Sequence, residues 1–317
     1  MPRAISGFAL CLGVLAVLLT PLAAAGIVIQ DARGRDVMIG NSSRIVSIGG
    51  AITEILYALG LQDRIVGVDT TSLYPAKALS EKPNVGYMRQ LSAEGVLGLN
   101  PQLILAIEGA GPKETLEVLD AAKIPYVAFP ETFTEQGLLD KIKLVAHAMN
   151  VDARGACLSA AVSKDLAELN KLRGHIQKPA RVMFVMSFLN GRAMVAGQKT
   201  AANEIIKMAG GVNAVDGFDG YKPVNDEAIV AARPDVILTM QRGREQLEAE
   251  AVFANPSFAL TPAAAKKSFV AMDGLYLLGF GPRTAAAARD LAVSLYPDLA
   301  ERTATWKPAA LSVDCHQ

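Results

Sequence analysis

Histidine and cysteine are scarce in this chain, with three of each among 317 residues. The three His are His147, His175 and His316. No two of them have metal-ligand spacing, so a zinc or manganese site is not expected. A Ser or Cys nucleophile with a nearby His cannot be assembled from three scattered His, and no Gly-x-Ser-x-Gly elbow occurs. Gly197-Gln198-Lys199-Thr200 lacks the Gly-rich spacing of a phosphate loop, and Thr200 reads better as a helix cap. An enzyme is therefore not expected. Aromatic residues make up 6%, and the sole Trp, Trp306, lies near the C-terminus. Charge of one sign is lacking too. Thirty-one basic and thirty-one acidic residues give a formal net charge of zero, and no Lys/Arg run reaches five. That argues against a nucleic-acid partner. Disorder is excluded by a hydrophobic content of 51%.

Long apolar runs are lacking after the N-terminus, where one short run stands out. Met1-Pro2-Arg3 precedes the apolar stretch Phe8 to Leu19, and Ala23-Ala24-Ala25 offers a small-x-small cleavage site. The run is too short to span a bilayer, and small residues follow it. Residues 1–25 are thus read as a cleaved signal peptide, with a mature start near Gly26 and a destination in the periplasm. Cys11 would leave with the leader. Cys157 and Cys315 would remain, either bridged in an oxidising compartment or separate.

The rest of the chain alternates short β-rich runs with helical stretches. The runs are 44–48, 65–68, 103–105, 126–129, 181–186, 236–238 and 275–278. Short buried strands separated by helices imply an α/β fold with mostly parallel sheets. Two echoes imply two lobes on one plan. Glu54-Ile55-Leu56 closing at Gly60 is matched by Glu204-Ile205-Ile206 closing at Gly210. Ser92-Ala93-Glu94 leading to Pro101 and an apolar run is matched by Asn225-Asp226-Glu227 leading to Pro234 and another. Between the halves, 151–176 reads as one long amphipathic helix, a stiff connector that disfavours large hinge closure. The expected organisation is an N-terminal lobe at 26–150, the connecting helix at 151–176 and a C-terminal lobe at 177–317, with a ligand cleft between the lobes.

Export signal, two α/β lobes and one joining helix resemble the helical-backbone class of substrate-binding proteins. That class serves importers of vitamin B12, siderophores, haem, and zinc or manganese. The resemblance covers roughly the whole mature chain. Asn84-Val85-Gly86-Tyr87-Met88-Arg89-Gln90-Leu91-Ser92-Ala93-Glu94-Gly95 and Leu277-Leu278-Gly279-Phe280-Gly281-Pro282-Arg283 are similar to the haem-binding branch. In that branch the tyrosine of the Val-Gly-Tyr stretch ligates the iron, which implies Tyr87 here and a ferric haem b carried as ligand. The chemistry is consistent, because ferric iron is hard and a phenolate is a hard anionic ligand. A free phenol ionises only near pH 10, so iron and nearby cations must favour the ionised form. Arg89 is such a cation. In an extended segment it would share a face with Tyr87.

Two haem propionates call for further positive groups. Arg242 and Arg244 follow the strand that starts at Val236, at the edge where open α/β sheets bind ligands. Arg242 is the favoured propionate partner, and Arg283 is read as a turn residue entering the last helix or as a ligand contact. Some relatives place a His before a Tyr-Lys pair and hold a second haem. Here the pair is Tyr221-Lys222 and the matching position is Phe218, which implies one haem with Phe218 on the macrocycle or the cleft wall.

The resemblance also implies one acidic residue per lobe for docking onto an ABC permease/ATPase complex in the inner membrane. Those residues are Glu94 and Glu227, with Glu54 and Glu204 as the competing pair. Each of the first two also suits a first helical turn after a capping Ser92 or Asn225. The protein is expected to act as a monomer. A siderophore or vitamin B12 carrier of the same fold is the alternative, weakened by the paucity of aromatic side chains.

Overall fold

Two sheets, one from each half of the chain, are built from the apolar runs. The computed structural model describes residues 26–241, 243 and 247–316. The expected leader, Arg242 and Arg244 lie outside the described residues.

The chain enters through a hairpin, β1 (Ile27–Gln30) and β2 (Asp36–Ile39). The first sheet then takes β3 (Ile45–Ile48) and β4 (Ile65–Val68). A two-residue-stranded hairpin follows, β5 (Gly86–Tyr87) and β6 (Gln90–Leu91). β7 (Leu103–Ile107) and β8 (Tyr126–Phe129) complete the first sheet in the order β4-β3-β7-β8, all parallel. Every residue of β3, β7 and β8 is buried. Helices cover both faces of such a sheet, so its strands read as unbroken apolar runs rather than alternating ones.

A 22-residue helix, Asp152–Arg173, joins the halves. The second sheet holds β9 (Arg181–Leu189), β10 (Arg192–Ala196), β11 (Val212–Asn213), β12 (Tyr221–Pro223), β13 (Val236–Gln241) and β14 (Phe269–Asp273). Its order is β12-β10-β9-β13-β14, with β11 pairing β9. β9, β11, β13 and β14 run parallel, while β10 and β12 are antiparallel additions at one side. The expected run at 275–278 is not a strand. The strand is β14 just before it, and Gly274–Leu278 is helical because Asp273 accepts a hydrogen bond from the Tyr276 amide at 2.8 Å and starts the turn.

Both echoes are geometric as well as sequential. Helix Gly50–Ala58 ends with Gly60 at φ 71°, and Leu61 N donates to Leu56 O. Helix Ala201–Met208 ends with Gly210 at φ 80°, and Gly211 N donates to Ile206 O. Both are Gly-closed helix ends, where a residue without Cβ takes the left-handed conformation at low cost. In the second echo, Ser92 caps Ala93–Leu97 and Asn225 caps Asp226–Ala232. The residue before each following Pro, Asn100 and Arg233, sits at φ 45°.

The C-terminal segment straps the connector. Cys157 on the connecting helix is disulfide-bonded to Cys315. The buried Asp165 accepts from the amides of Ala309 and Ala310 at 2.7 and 2.9 Å, and from Trp306 Nε1 at 3.4 Å. His316 lies over Gly60, so the strap reaches the first half as well.

Candidate ligand-binding site

The hairpin bearing Tyr87 sits at the C-terminal edge of the first sheet. Thr70, just after β4, donates its amide to Gly86 O at 2.9 Å. Gly111, just after β7, donates to Met88 O and accepts from Leu91 N, both at 2.9 Å. Gly86 takes φ 97° while its amide bonds Asn84 Oδ1 at 2.8 Å, and this turns Tyr87 outward. Tyr87 is 38% exposed.

Arg89 is exposed and stands in the two-residue turn between β5 and β6. Tyr87 pairs with Gln90, so the stretch reverses at Met88-Arg89 instead of running on extended. The expected shared strand face for Tyr87 and Arg89 is therefore replaced by adjacency at a hairpin tip. Arg89 acts electrostatically on Glu131, which follows β8.

Loop 69–75 beside the hairpin is organised by Asp69, which is fully buried. Its carboxylate accepts from Gly49 N (2.8 Å), Thr71 N (3.0 Å), Thr71 Oγ1 (2.7 Å) and Ser72 Oγ (3.0 Å). Thr53 Oγ1 bonds both Ser47 and Ser72 at 2.7 Å, locking the loop to β3 and the first helix. The sequence reading missed Asp69, although an Asp-Thr-Thr-Ser run after a strand is a turn signature.

The seam between the halves lies beside this loop. Glu54 and Arg283 pair across it at 3.0 Å, and the Arg283 amide adds a 3.2 Å bond to the same carboxylate. Glu54 is only 5% exposed, so it cannot dock a partner, and the competing pair with Glu204 is removed. Arg283 also lies over the rings of Tyr74 (3.6 Å) and Tyr276 (5.0 Å). The expected turn residue is thus the arginine of the seam. Lys141, almost fully buried, pairs with Glu131 and reaches Phe280 O at 3.4 Å, and Phe133 meets Phe280 edge-on at 5.1 Å. Burial raises the pKa of Glu54 and of Glu131 above the ordinary carboxylate value, opposed by Arg283 and Lys141 respectively. Burial, and then Asp290, raises Tyr276.

On the other half, Phe218 is half-buried against the second core. Gln198 donates its amide to Phe218 O at 2.8 Å, and a Cβ at Gly197 would overlap the ring. Lys222 Nζ lies 5.2 Å from the centre of that ring. Glu94 and Glu227 are both exposed in the first turns of their capped helices. His147 is half exposed and bonds Asp152 at 3.0 Å instead of packing on a helix face. His175 is exposed. Among the described residues no group of three His, Cys, Asp or Glu is arranged to hold a metal ion. A groove of about 660 Å³ runs along helix Glu135–Ala148, lined by Thr134, Lys143 and His147 among others and by no residue of the Tyr87 hairpin.

The family model for periplasmic binding proteins matches residues 45–275. This chain belongs to the periplasmic binding protein family. Members of the family work outside the cytoplasm as binding components of transport. Among solved structures, the periplasmic haem-binding protein RhuT of Roseiflexus sp. RS-1 is 40% identical, with a TM-score of 0.77 over 81% of this chain and 99% of that one. BhuT, a periplasmic haem-binding protein in complex with two haems, is also 40% identical, with a TM-score of 0.77 over 82% and 100%. HutB of Vibrio cholerae, a periplasmic haem-binding protein, is 34% identical, with a TM-score of 0.72 over 81% and 100%. Among characterised sequences, the vitamin B12-binding protein of Yersinia pestis is 26% identical over 62% of this chain and 69% of its own. As a periplasmic binding protein, the chain presents its ordered loops at the C-terminal edge of its sheets, the edge where open α/β sheets take ligands.

Proposed function

We propose that this protein captures ferric haem in the periplasm and delivers it to an inner-membrane ABC transporter. The observation that carries the reading is Tyr87, an exposed phenol at a hairpin tip at the ligand edge, in a fold shared at 40% identity with periplasmic haem-binding proteins. Tyr87 supplies the iron ligand as tyrosinate, and Arg89 beside it favours the anionic phenolate or pairs with a propionate. Arg242 is the second propionate partner, and Phe218 packs against the macrocycle from the other lobe. One haem is bound, because Phe218 offers no ligand atom for a second iron. Residues 1–25 are the cleaved signal peptide, 26–150 and 177–317 the lobes, and 151–176 the connector. Glu94 and Glu227, one exposed carboxylate per lobe on equivalent capped helices, meet the two-fold permease. The carrier acts as a monomer.

The test is a ferric haem titration of the mature chain and of Tyr87→Ala, followed by absorption. Wild type saturates at one equivalent with a high-spin ferric phenolate spectrum, which the variant loses. Saturation at two equivalents refutes the single-haem reading and aligns the protein with BhuT. Equal spectra for both proteins refute Tyr87 as ligand. A B12-type carrier is the second reading, favoured by the Yersinia relative, and a cyanocobalamin titration separates it from the first.

A further inference from the structure

Among the described residues, the two most exposed aromatic side chains are Tyr74 at 40% and Tyr87 at 38%. Their segments are neighbours, since Thr70 N donates to Gly86 O at 2.9 Å and thereby pins loop 69–75 against the Tyr87 hairpin. Leu73, next to Tyr74, is itself 45% exposed. The remaining exposed large apolar side chains are aliphatic or Met, among them Val28 and Met38, which face each other across the first hairpin. Two partly exposed phenols thus stand on adjoining segments, and Tyr suits contact surfaces because it offers an apolar ring with a polar tip.

Tyr74 is also held. The Arg283 guanidinium lies 3.6 Å from its ring centre, and Arg283 is fixed in turn by Glu54 at 3.0 Å and by its own amide at 3.2 Å. The loop below is fixed by Asp69. With a cation against one face, the open part of the ring is the part turned away from Arg283. The fold therefore holds the Tyr74 ring with a fixed cation while the residue stays 40% exposed, on the loop beside the proposed iron ligand.

We propose that Tyr74 is a further ligand-contact residue, an aromatic wall for the planar macrocycle, with Arg283 and Glu54 as its positioning residues. This rests on the haem-carrier reading. It adds a recognition element that acts on the porphyrin plane and not on the iron. Loss of one stacked ring costs about tenfold in affinity.

The test separates plane from iron by using iron-free protoporphyrin IX, which no tyrosinate can ligate, alongside ferric haem. Tyr74→Ala is expected to bind protoporphyrin IX about tenfold more weakly and to release haem about tenfold faster to apomyoglobin, while keeping the ferric phenolate spectrum. Tyr74→Phe, which keeps the ring, should match wild type. Arg283→Lys keeps the charge for Glu54 but loses the planar stack, and should speed release without altering the spectrum. Wild-type behaviour in Tyr74→Ala overturns the wall while leaving the haem reading intact. Failure of the wild type to bind haem at all overturns both. If Tyr74→Ala does not fold, tetranitromethane labelling of the wild-type protein decides. Tyr74 should be nitrated in the free protein and protected by haem, and equal nitration in both states overturns the proposal.

Discussion

The Glu54–Arg283 pair gives the sharpest energetic prediction, because its two members are not equivalent. Removing one partner of a buried pair costs about 3–5 kcal/mol, since the other is left charged and dry. Glu54 is 5% exposed, and among the described residues Arg283 is the cation that acts on it, so Arg283→Leu forces it to protonate in the seam. That change should cost about 3–4 kcal/mol. Arg283 is 14% exposed and keeps the rings of Tyr74 and Tyr276 when Glu54 is lost. A partly desolvated cation over aromatic rings is held by about 1–2 kcal/mol, so Glu54→Leu should cost only about 2 kcal/mol. The double variant removes both charges and should fall within about 1–2 kcal/mol of wild type, which makes the coupling about 3 kcal/mol or more. Urea unfolding of the four proteins at neutral pH, followed by circular dichroism, measures the cycle. Additive losses, or an Arg283→Leu cost below about 1 kcal/mol, would show that the pair is solvated and that the seam is not held by it.

Three other outcomes follow from the same contacts. Cys157→Ser opens a link across 158 residues, for which the chain-entropy model gives about 5 kcal/mol, so its thermal midpoint should drop by about 10 °C; a drop under about 2 °C would mean that Asp165 and the packed tail already hold the strap. Glu94→Lys and Glu227→Lys should leave haem affinity unchanged and cost at most about 1 kcal/mol of stability from lost helix-dipole interactions, yet abolish uptake into vesicles carrying the cognate transporter; unimpaired uptake refutes the docking role. Glu131 takes up a proton in the folded state above the pH at which it would when unfolded, so its contribution to stability grows as pH falls through its raised value towards 4.5. The midpoint of wild type relative to Glu131→Gln should therefore rise from pH 8 to pH 5, and a fall contradicts the burial argument.

Much of the fold was legible because buried parallel strands leave an unmistakable apolar signature. Ile45–Ile48, Leu103–Ile107 and Tyr126–Phe129 are buried along their whole length and were found as such. The 275–278 run was misread because Leu-Tyr-Leu-Leu suits strand or helix equally, and the deciding atom is the Asp273 carboxylate on the Tyr276 amide. The antiparallel additions were missed although Asn190-Gly191 is a hairpin signal. Both residues take positive φ, 50° and 79°, as a tight turn between β9 and β10 requires. The disulfide was left open because two cysteines so far apart in the chain say nothing of their distance in space.

A candidate site could be proposed where a stretch resembles a known motif, and contacts stayed hidden where the chemistry belongs to a distant pair. Tyr87 was proposed from the motif around it and the resemblance that motif carries, and the two capped glutamates from that resemblance and the internal repeat. Glu54 could not be told from a docking residue, because its partner lies 229 positions away and the echo with Glu204 made the two look alike. Where the repeat meets the seam, a surface glutamate in one copy becomes a buried anchor in the other. Glu204 keeps an exposed Lys207 at 3.0 Å, while Glu54 crosses to Arg283. The departures from internal symmetry therefore mark the seam, and the seam holds the loop that stands beside Tyr87.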